Sequence, residues 1–468
     1  MAITAEHSAI YRTLWRWHFY AALFVIPLVL VLSLTGSVYL FKPQLDRWQQ
    51  SALVQQSTSS VTSPGVADPD LQLQQVMTAF PGWRFQYYQL PERVAEPAIV
   101  RIVDPTTRVR QDVVVASDGS ILGSIEKDAW WSEWVSRLHG ELLLGDGGSA
   151  IVELAANWAI VMILSGLYLW WPRGRTLAGV LWPRLQQGRV LWRDLHAVTG
   201  FWISSLVLVL LISGLPWTGI WGDGFKWVRA ELGWNGASQA WQTSRQAERD
   251  SGHADHDHTP SASSVTDADK ARSSHTAPTS LAPWVTTANQ LGFAHPVIVT
   301  PPGGPKRFGR GQETVWTIRS DSQNRTLRTT IYFDTDTREE IGRDEFSKQH
   351  VIDRAIGYGI SWHEGQLFGV ANLIIGLLTA LGLASLVISG SVMWVQRTRN
   401  RNGIGAPPAA TEEHPLPGWV YAIATGLMII LPLLTASIIV IALLERLVLS
   451  RIESVALWLG LPRRRWRS

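Results

Sequence analysis

Four histidines stand at the ends of long apolar runs, and their spacing repeats. His139 is followed 26 residues later by Ser165-Gly166, then by Trp170 and Arg173, and His363 is followed 26 residues later by Ser389-Gly390, then by Trp394 and Arg397. The two copies lie 224 residues apart. His18 and His196 form a second pair, each 18 residues before a glycine, Gly36 and Gly214, inside another apolar run. Imidazole is an axial ligand of haem iron, and a duplicated bundle with histidines on facing helices is a natural place to hold haem. Two histidines on one iron leave no open position, which suits electron transfer rather than oxygen activation. His18 and His196 open the first and third runs from one side, so they are expected to share one haem. His139 and His363 precede the second and fourth runs from the other side, so they are expected to share another. From His18 to Gly36 a helix covers about 27 Å, which sets the two pairs at opposite faces.

The elements that must position these residues are membrane helices. The chain is 46% hydrophobic and 17% charged, and its 25 tryptophans suit the interfacial belts of a bilayer protein. Spans are predicted at 19–41, 151–171, 201–220, 373–395 and about 419–444, each with the roughly 20 apolar residues that cross a hydrocarbon core. The first run has no small-residue cleavage site and reads as a retained anchor. The chain has no cysteine, which excludes disulfides, iron–sulfur ligation and thiol chemistry.

Short basic loops set the expected orientation. Arg173, Arg175, Arg184, Arg189 and Arg193 lie between the second and third spans against one acid, Asp194, and Arg397, Arg399 and Arg401 follow the fourth span. The positive-inside bias places both groups in the cytoplasm together with Arg12 and Arg16 near the N-terminus, and places the long loops 42–150 and 221–372 outside. Five spans from an inside start would leave Arg463, Arg464, Arg465 and Arg467 outside, against that bias, so the tail reads as interfacial.

The two outer loops look like versions of one α+β module. The first predicts a helix at 71–80, strands at 83–90, 98–103 and 109–116, and a turn at Asp118-Gly119; the second repeats the order with a helix at 281–291, strands at 296–299, 314–319 and 327–333, and a turn at 334–337. Residues 236–280, rich in Ser, Ala, Asp, Thr and His, are expected to be disordered. The fold class is thus a mainly α membrane protein: a four-helix haem-binding transmembrane bundle from an internal duplication, a fifth C-terminal span, and two α+β modules outside. The segments are 1–41, 42–138, 139–220, 221–362, 363–400 and 401–468.

Leu138-His139-Gly140 with Leu144-Gly145-Asp146, the run Ser165-Gly166-Leu167-Tyr168-Leu169-Trp170-Trp171-Pro172-Arg173, Leu195-His196, and Trp362-His363-Glu364-Gly365 with Leu367-Phe368-Gly369 together resemble the PepSY-associated transmembrane family over essentially the whole chain. These are iron-regulated inner-membrane proteins of bacteria that include periplasmic siderophore reductases. Trp17 precedes His18 where that family usually has Leu. The resemblance implies a helical bundle carrying b-type haem, PepSY modules in the periplasm, and electrons passed outward to a ferric siderophore, which agrees with the two haems expected at His18 with His196 and at His139 with His363. No phosphate-binding glycine fingerprint follows a strand, so the electron donor is expected to be separate, a quinol or a cytoplasmic flavoprotein. Membrane lipid is the other expected partner, and no nucleic acid is expected.

Other readings remain open. The histidines could bind an ion directly in a metal-handling or transport protein, or the chain could be a noncatalytic PepSY regulator. A histidine at a helix end is commonly an interfacial side chain, and small residues such as Gly36, Gly166, Gly214 and Gly390 also serve plain helix packing. His253, His256 and His258 with Asp255 and Asp257 form a tract of a kind that binds divalent metals or is simply polar. Trp130, Trp131, Trp134 and Arg137 read either as a docking surface for an anionic chelate or as an amphipathic helix anchored on the bilayer. Residues 145–148 are expected to break the chain between His139 and its span. His295 and His350 read as ordinary surface or structural side chains, and His7, His275 and His414 carry no signal.

Overall fold

Each of the first four long apolar runs forms a continuous α-helix, the conformation that satisfies backbone N–H and C=O groups within the segment when lipid offers no partners. The computed structural model describes residues 2–56, 68–93, 96–172, 178–234, 280–305, 313–399, 403–408 and 416–461. Outside them lie Arg173, Arg175 and Arg401, the low-complexity stretch at 236–279 with His253, His256, His258 and His275, then His414, and the arginines of 463–467.

The helices are α1 (Ala2–Tyr39), α2 (Lys42–Gln56), α3 (Pro69–Ala79), α4 (Trp131–Glu141), α5 (Gly145–Trp170), α6 (Arg189–Gly214), α7 (Ile220–Glu231), α8 (Ala282–Gln290), α9 (Val351–His363), α10 (Val370–Thr398), α11 (Gly418–Ile430), α12 (Pro432–Leu444) and α13 (Glu453–Leu459). The strands are β1 (Arg84–Gln89), β2 (Ala98–Val103), β3 (Arg110–Val115), β4 (Ile121–Glu126), β5 (Val297–Thr300), β6 (Trp316–Ser320), β7 (Thr329–Phe333) and β8 (Glu340–Glu345). The chain divides into two compact units: Met1–Leu40, Ser136–Val228 and Leu373–Ser468 form one, and Phe41–Val135 with Arg229–Asn372 the other.

The first unit holds the membrane helices. Among the described residues five segments are long and apolar enough to cross a bilayer: Ala9–Tyr39, Gly145–Trp170, Arg189–Trp217, Val370–Thr398 and Pro432–Leu449. The expected single helix at 419–444 is instead two, α11 and α12. Pro432 lacks the N–H that would bond the Met428 carbonyl, and Leu431 leaves the helical region at φ −118°, ψ 85°. The freed Met428 carbonyl is taken by the Thr435 hydroxyl at 2.5 Å, and Trp221 Nε1 donates to the Ile430 carbonyl at 3.0 Å. Leu431 and Leu434 are buried with Ile160 and Leu215, so the irregular backbone is covered by protein, the condition for a break at membrane depth.

The break reverses the chain. At the start of α11 the Trp419 ring lies 5.8 Å from that of Tyr168, beside Ser165, which meets His18. Its other end reaches Leu215, just past the last residue of α6. After α12 the chain is back at the first end, where Tyr20 donates to the Leu459 carbonyl at 2.6 Å and Arg16 to that of Gly460 at 3.0 Å. Arg16 also binds the Pro407 carbonyl at 2.6 Å. The α11–α12 pair is a helical hairpin with both ends at the His18 end of the bundle.

In the second unit the two expected modules are halves of one antiparallel sheet of order β4-β3-β2-β1-β5-β6-β7-β8. The first strands of the halves pair, Tyr88 opposite Val299 and Gln89 opposite Ile298. Alternate residues such as Val100, Ile102, Val113, Ile318 and Ile331 face one core, covered by Leu73 and Val76 of α3 and Trp284 and Val285 of α8. Asp70 of α3 ties the two helices, accepting from Ser280 Oγ at 2.7 Å and from the Ala282 amide at 3.2 Å. On the other face of the first half, Leu53 and Val54 of α2 cover Val114, Ala116 and Leu122. Trp130 is buried and donates to Asp112 at 2.8 Å, a carboxylate that also pairs with Arg101. Burial beside this pair pushes the Tyr87 phenol well above its ordinary range. Trp130 is therefore a structural residue rather than part of a docking surface, whereas Trp131 and Trp134 are exposed. His350 caps α9, accepting from the Ile352 amide through Nδ1 at 3.3 Å.

The hairpin generates a topological prediction. Because the chain has no cysteine, Thr13→Cys and Glu453→Cys can each be labelled alone with a membrane-impermeant maleimide in sealed vesicles. Both should react from the same side; reaction from opposite sides would refute the chain reversal at Pro432.

Candidate functional site

The repeat-related histidines of the helical unit share one local geometry. His18 of α1 places Nδ1 3.1 Å from Ser165 Oγ of α5. His196 of α6 places Nδ1 3.2 Å from Ser389 Oγ of α10. His139 of α4 places Nδ1 3.0 Å from Thr35 Oγ1 of α1. In every case the residue after the hydroxyl is glycine, and the imidazole lies against it: a Cβ on Gly166 would lie 3.2 Å from His18 Cε1, on Gly36 3.1 Å from His139 Cε1, and on Gly390 3.5 Å from His196 Cε1. A Ser-Gly or Thr-Gly step on one helix thus seats the Nδ1–Cε1 edge of a histidine from another.

Two of the four histidines come together. The rings of His18 and His196 are 6.4 Å apart between centres and nearly perpendicular, at 88°. An imidazole nitrogen binds a first-row metal at about 2.0–2.1 Å, so with about 1 Å more from nitrogen to ring centre on each side, two rings sharing one metal sit roughly 6 Å apart. The pair could hold one iron, and with both Nδ1 atoms on hydroxyls the nitrogen left to each ring for a metal is Nε2. His139 meets α1 at Thr35, 17 residues beyond His18 and about 25 Å along the helix, so these two seats stand at opposite ends of α1. His363, the last residue of α9, belongs to the sheet-bearing unit and is half-buried. Among the described residues no cluster of three or more His, Asp or Glu side chains could hold a metal ion.

The turn that carries His139 is built one step earlier than expected. The break between α4 and α5 runs over 142–145, where Leu142, Leu143 and Gly145 take the left-handed conformation at φ 50°, 60° and 61°, so of the expected 145–148 break Gly145 takes part while the following residues through Gly148 lie in the first turn of α5. Gly148 is the fixed point. A Cβ there would lie 1.7 Å from the Glu141 carbonyl oxygen, so only glycine lets the end of α4 lie on the start of α5. Among the basic residues, Asp194 is buried and accepts from both Arg184 at 2.7 Å and Arg193 at 2.9 Å, which ties the loop before α6 to the turn that carries His196.

Two intramembrane polar residues were not anticipated. Glu153 of α5 is fully buried and accepts from the amides of Ile220 at 3.0 Å and Trp221 at 3.1 Å, a carboxylate at the positive end of α7. Asn157, one turn further along, is also fully buried. The hydroxyls of Ser165 and Ser389 were visible in the repeat as part of Ser-Gly, but that of Thr35 stood in a different run and carried no repeat signal of its own.

A several-span helical membrane protein with paired, hydroxyl-seated histidines is the class this site defines. The sequence matches the PepSY-associated TM region family over residues 15–397, and the chain belongs to that family. Among curated proteins, none matches it.

Gly148→Ala should lower stability by about 1–3 kcal/mol, the usual range for overpacking, whereas Gly147→Ala, with open space around its added methyl, should be close to neutral. Thermal unfolding of the two variants checks this, and equal melting temperatures would contradict the role given to Gly148.

Proposed function

We infer that this membrane protein is a di-haem electron-transfer protein that reduces a ferric siderophore on the periplasmic side of a bacterial inner membrane and releases ferrous iron. The observation that carries the reading is the His18–His196 pair, with rings 6.4 Å apart and at 88° and each Nδ1 engaged by a hydroxyl. Haem bound between two imidazoles supplies a one-electron couple without an open coordination position. His18 and His196 would hold one such group near the cytoplasmic face, and the sequence repeat assigns His139 and His363 to a second near the periplasmic face. Gly166 and Gly390 admit the imidazole edges. A siderophore too large to enter the membrane would receive its electron without coordination by protein. The electron donor is a separate partner, a quinol or a cytoplasmic flavoprotein, since no nucleotide fingerprint occurs in the chain.

The purified protein should contain two b-type haems per chain by pyridine haemochrome assay. His18→Ala and His196→Ala should each lose the same one, with no further loss in the double variant. Dithionite-reduced wild type should reoxidise on mixing with a ferric siderophore, with ferrous iron appearing in a chelating trap. His363→Ala should keep a reducible centre at His18 and His196 yet fail to discharge it. A colourless preparation would overturn the haem reading, and rapid discharge by His363→Ala would overturn the two-centre route.

A further inference from the structure

We propose that Ser165, Ser389 and Thr35 are positioning residues that hold the proton of each neighbouring histidine on Nδ1 and so present Nε2 as the metal-binding nitrogen. The proposal rests on the haem reading only for the identity of the metal group; the proton assignment follows from the hydroxyls themselves. A hydroxyl has one proton to donate. In all three residues the shorter contact is to a carbonyl of the same helix one turn back: Ser165 to Val161 at 2.8 Å, Ser389 to Ser385 at 2.6 Å and Thr35 to Val31 at 2.7 Å. These are ordinary lengths for O–H···O, and the 3.0–3.2 Å contacts to Nδ1 are those of N–H···O. The hydroxyl proton therefore goes to the backbone, the hydroxyl oxygen accepts, and the imidazole Nδ1–H donates.

A neutral imidazole protonated at Nδ1 has its lone pair on Nε2. Metal-bound histidines usually donate their other N–H to an acceptor, which fixes ring orientation and raises ligand basicity. Here that acceptor is a serine or threonine held to its own helix, and for His18 and His196 the carbonyls of Met162 and Leu386 in the same turns also accept from the ring. The adjacent glycine adds the steric half of the seat, because the ring edge that carries Nδ1 lies against it. The repeat carries a fourth dipeptide of this type, Ser213-Gly214, with Gly214 as far after His196 as Gly36 is after His18.

The test uses the full-length protein with Ser165→Ala, Ser165→Thr and Ser389→Ala. Loss of the acceptor should weaken haem retention roughly 10–100-fold, the usual effect of removing a metal ligand's hydrogen-bond partner. It should also raise the midpoint potential of that centre, because a less basic imidazole stabilises ferric iron less. Ser165→Thr keeps the acceptor and should restore both. In reduced protein labelled with [15N]histidine, the Nδ1–H proton of His18 should exchange slowly with solvent in wild type and Ser165→Thr and measurably faster in Ser165→Ala. A wild-type potential and haem retention in Ser165→Ala would overturn the proposal, as would a His18 signal showing Nε2 protonated and Nδ1 bare. Wild type without haem but with the Nδ1–H signal would sink the haem reading alone and leave the seat standing.

Discussion

The arrangement depends on one contact repeated three times: the edge of an imidazole laid on a hydroxyl-glycine step of a neighbouring helix. It constrains both partners. The histidine needs an acceptor at Nδ1, because a buried N–H without a partner costs about 1–3 kcal/mol, and the receiving helix needs glycine where a Cβ would come within about 3.1–3.5 Å of the ring. α1 takes part at both ends, as donor of His18 to α5 and as receiver of His139 at Thr35 and Gly36. Because α1 is a continuous helix with Pro27 inside it, these two seats are held at a set separation along one element. The third seat, His196 on α10, brings the second ring to His18.

Around this contact the remaining features act as supports. The left-handed Leu142 and Leu143 with Gly148 place α4 against α5 and so bring His139 to α1. Asp194, with Arg184 and Arg193, anchors the turn two residues before His196. The α11–α12 hairpin lies along α5 and the far end of α6, and returns the chain to Arg16 and Tyr20 on either side of His18. That reversal also removes the conflict between five spans and a basic tail, since the segment before Arg463 ends at the same end of the bundle as the N-terminal Arg16.

Much of this was legible in the sequence, and what was not has physical reasons. The first four membrane helices, the repeat, and the first three strands of each half of the sheet follow from hydrophobic pattern alone. The fourth strands, Ile121–Glu126 and Glu340–Glu345, escaped because they are sheet edges whose residues alternate weakly and include Gly123, Gly342 and several charges, as edges that avoid aggregation do. The fusion of the halves through Tyr88 and Val299 joins residues more than 200 positions apart, which no local pattern encodes. The hairpin was read as one span because both halves are apolar, and Pro432 alone marked the turn. At the site, the histidines and glycines were visible from their spacing. The hydroxyls were not assigned a role, because a serine inside an apolar helix ordinarily bonds its own backbone, and only the folded structure shows its oxygen also within hydrogen-bond distance of a histidine.

The central claim is that His18 and His196 hold one iron between perpendicular rings. Low-temperature electron paramagnetic resonance of the oxidised, purified wild-type protein tests it most directly, because perpendicular axial imidazole planes make low-spin ferric haem strongly anisotropic whereas parallel planes give a rhombic three-line spectrum. The account predicts a strongly anisotropic low-spin signal whose His18–His196 component disappears in His196→Ala, while the component of the second centre remains. A high-spin signal only, or a low-spin signal of wild-type shape and size in His196→Ala, would contradict it.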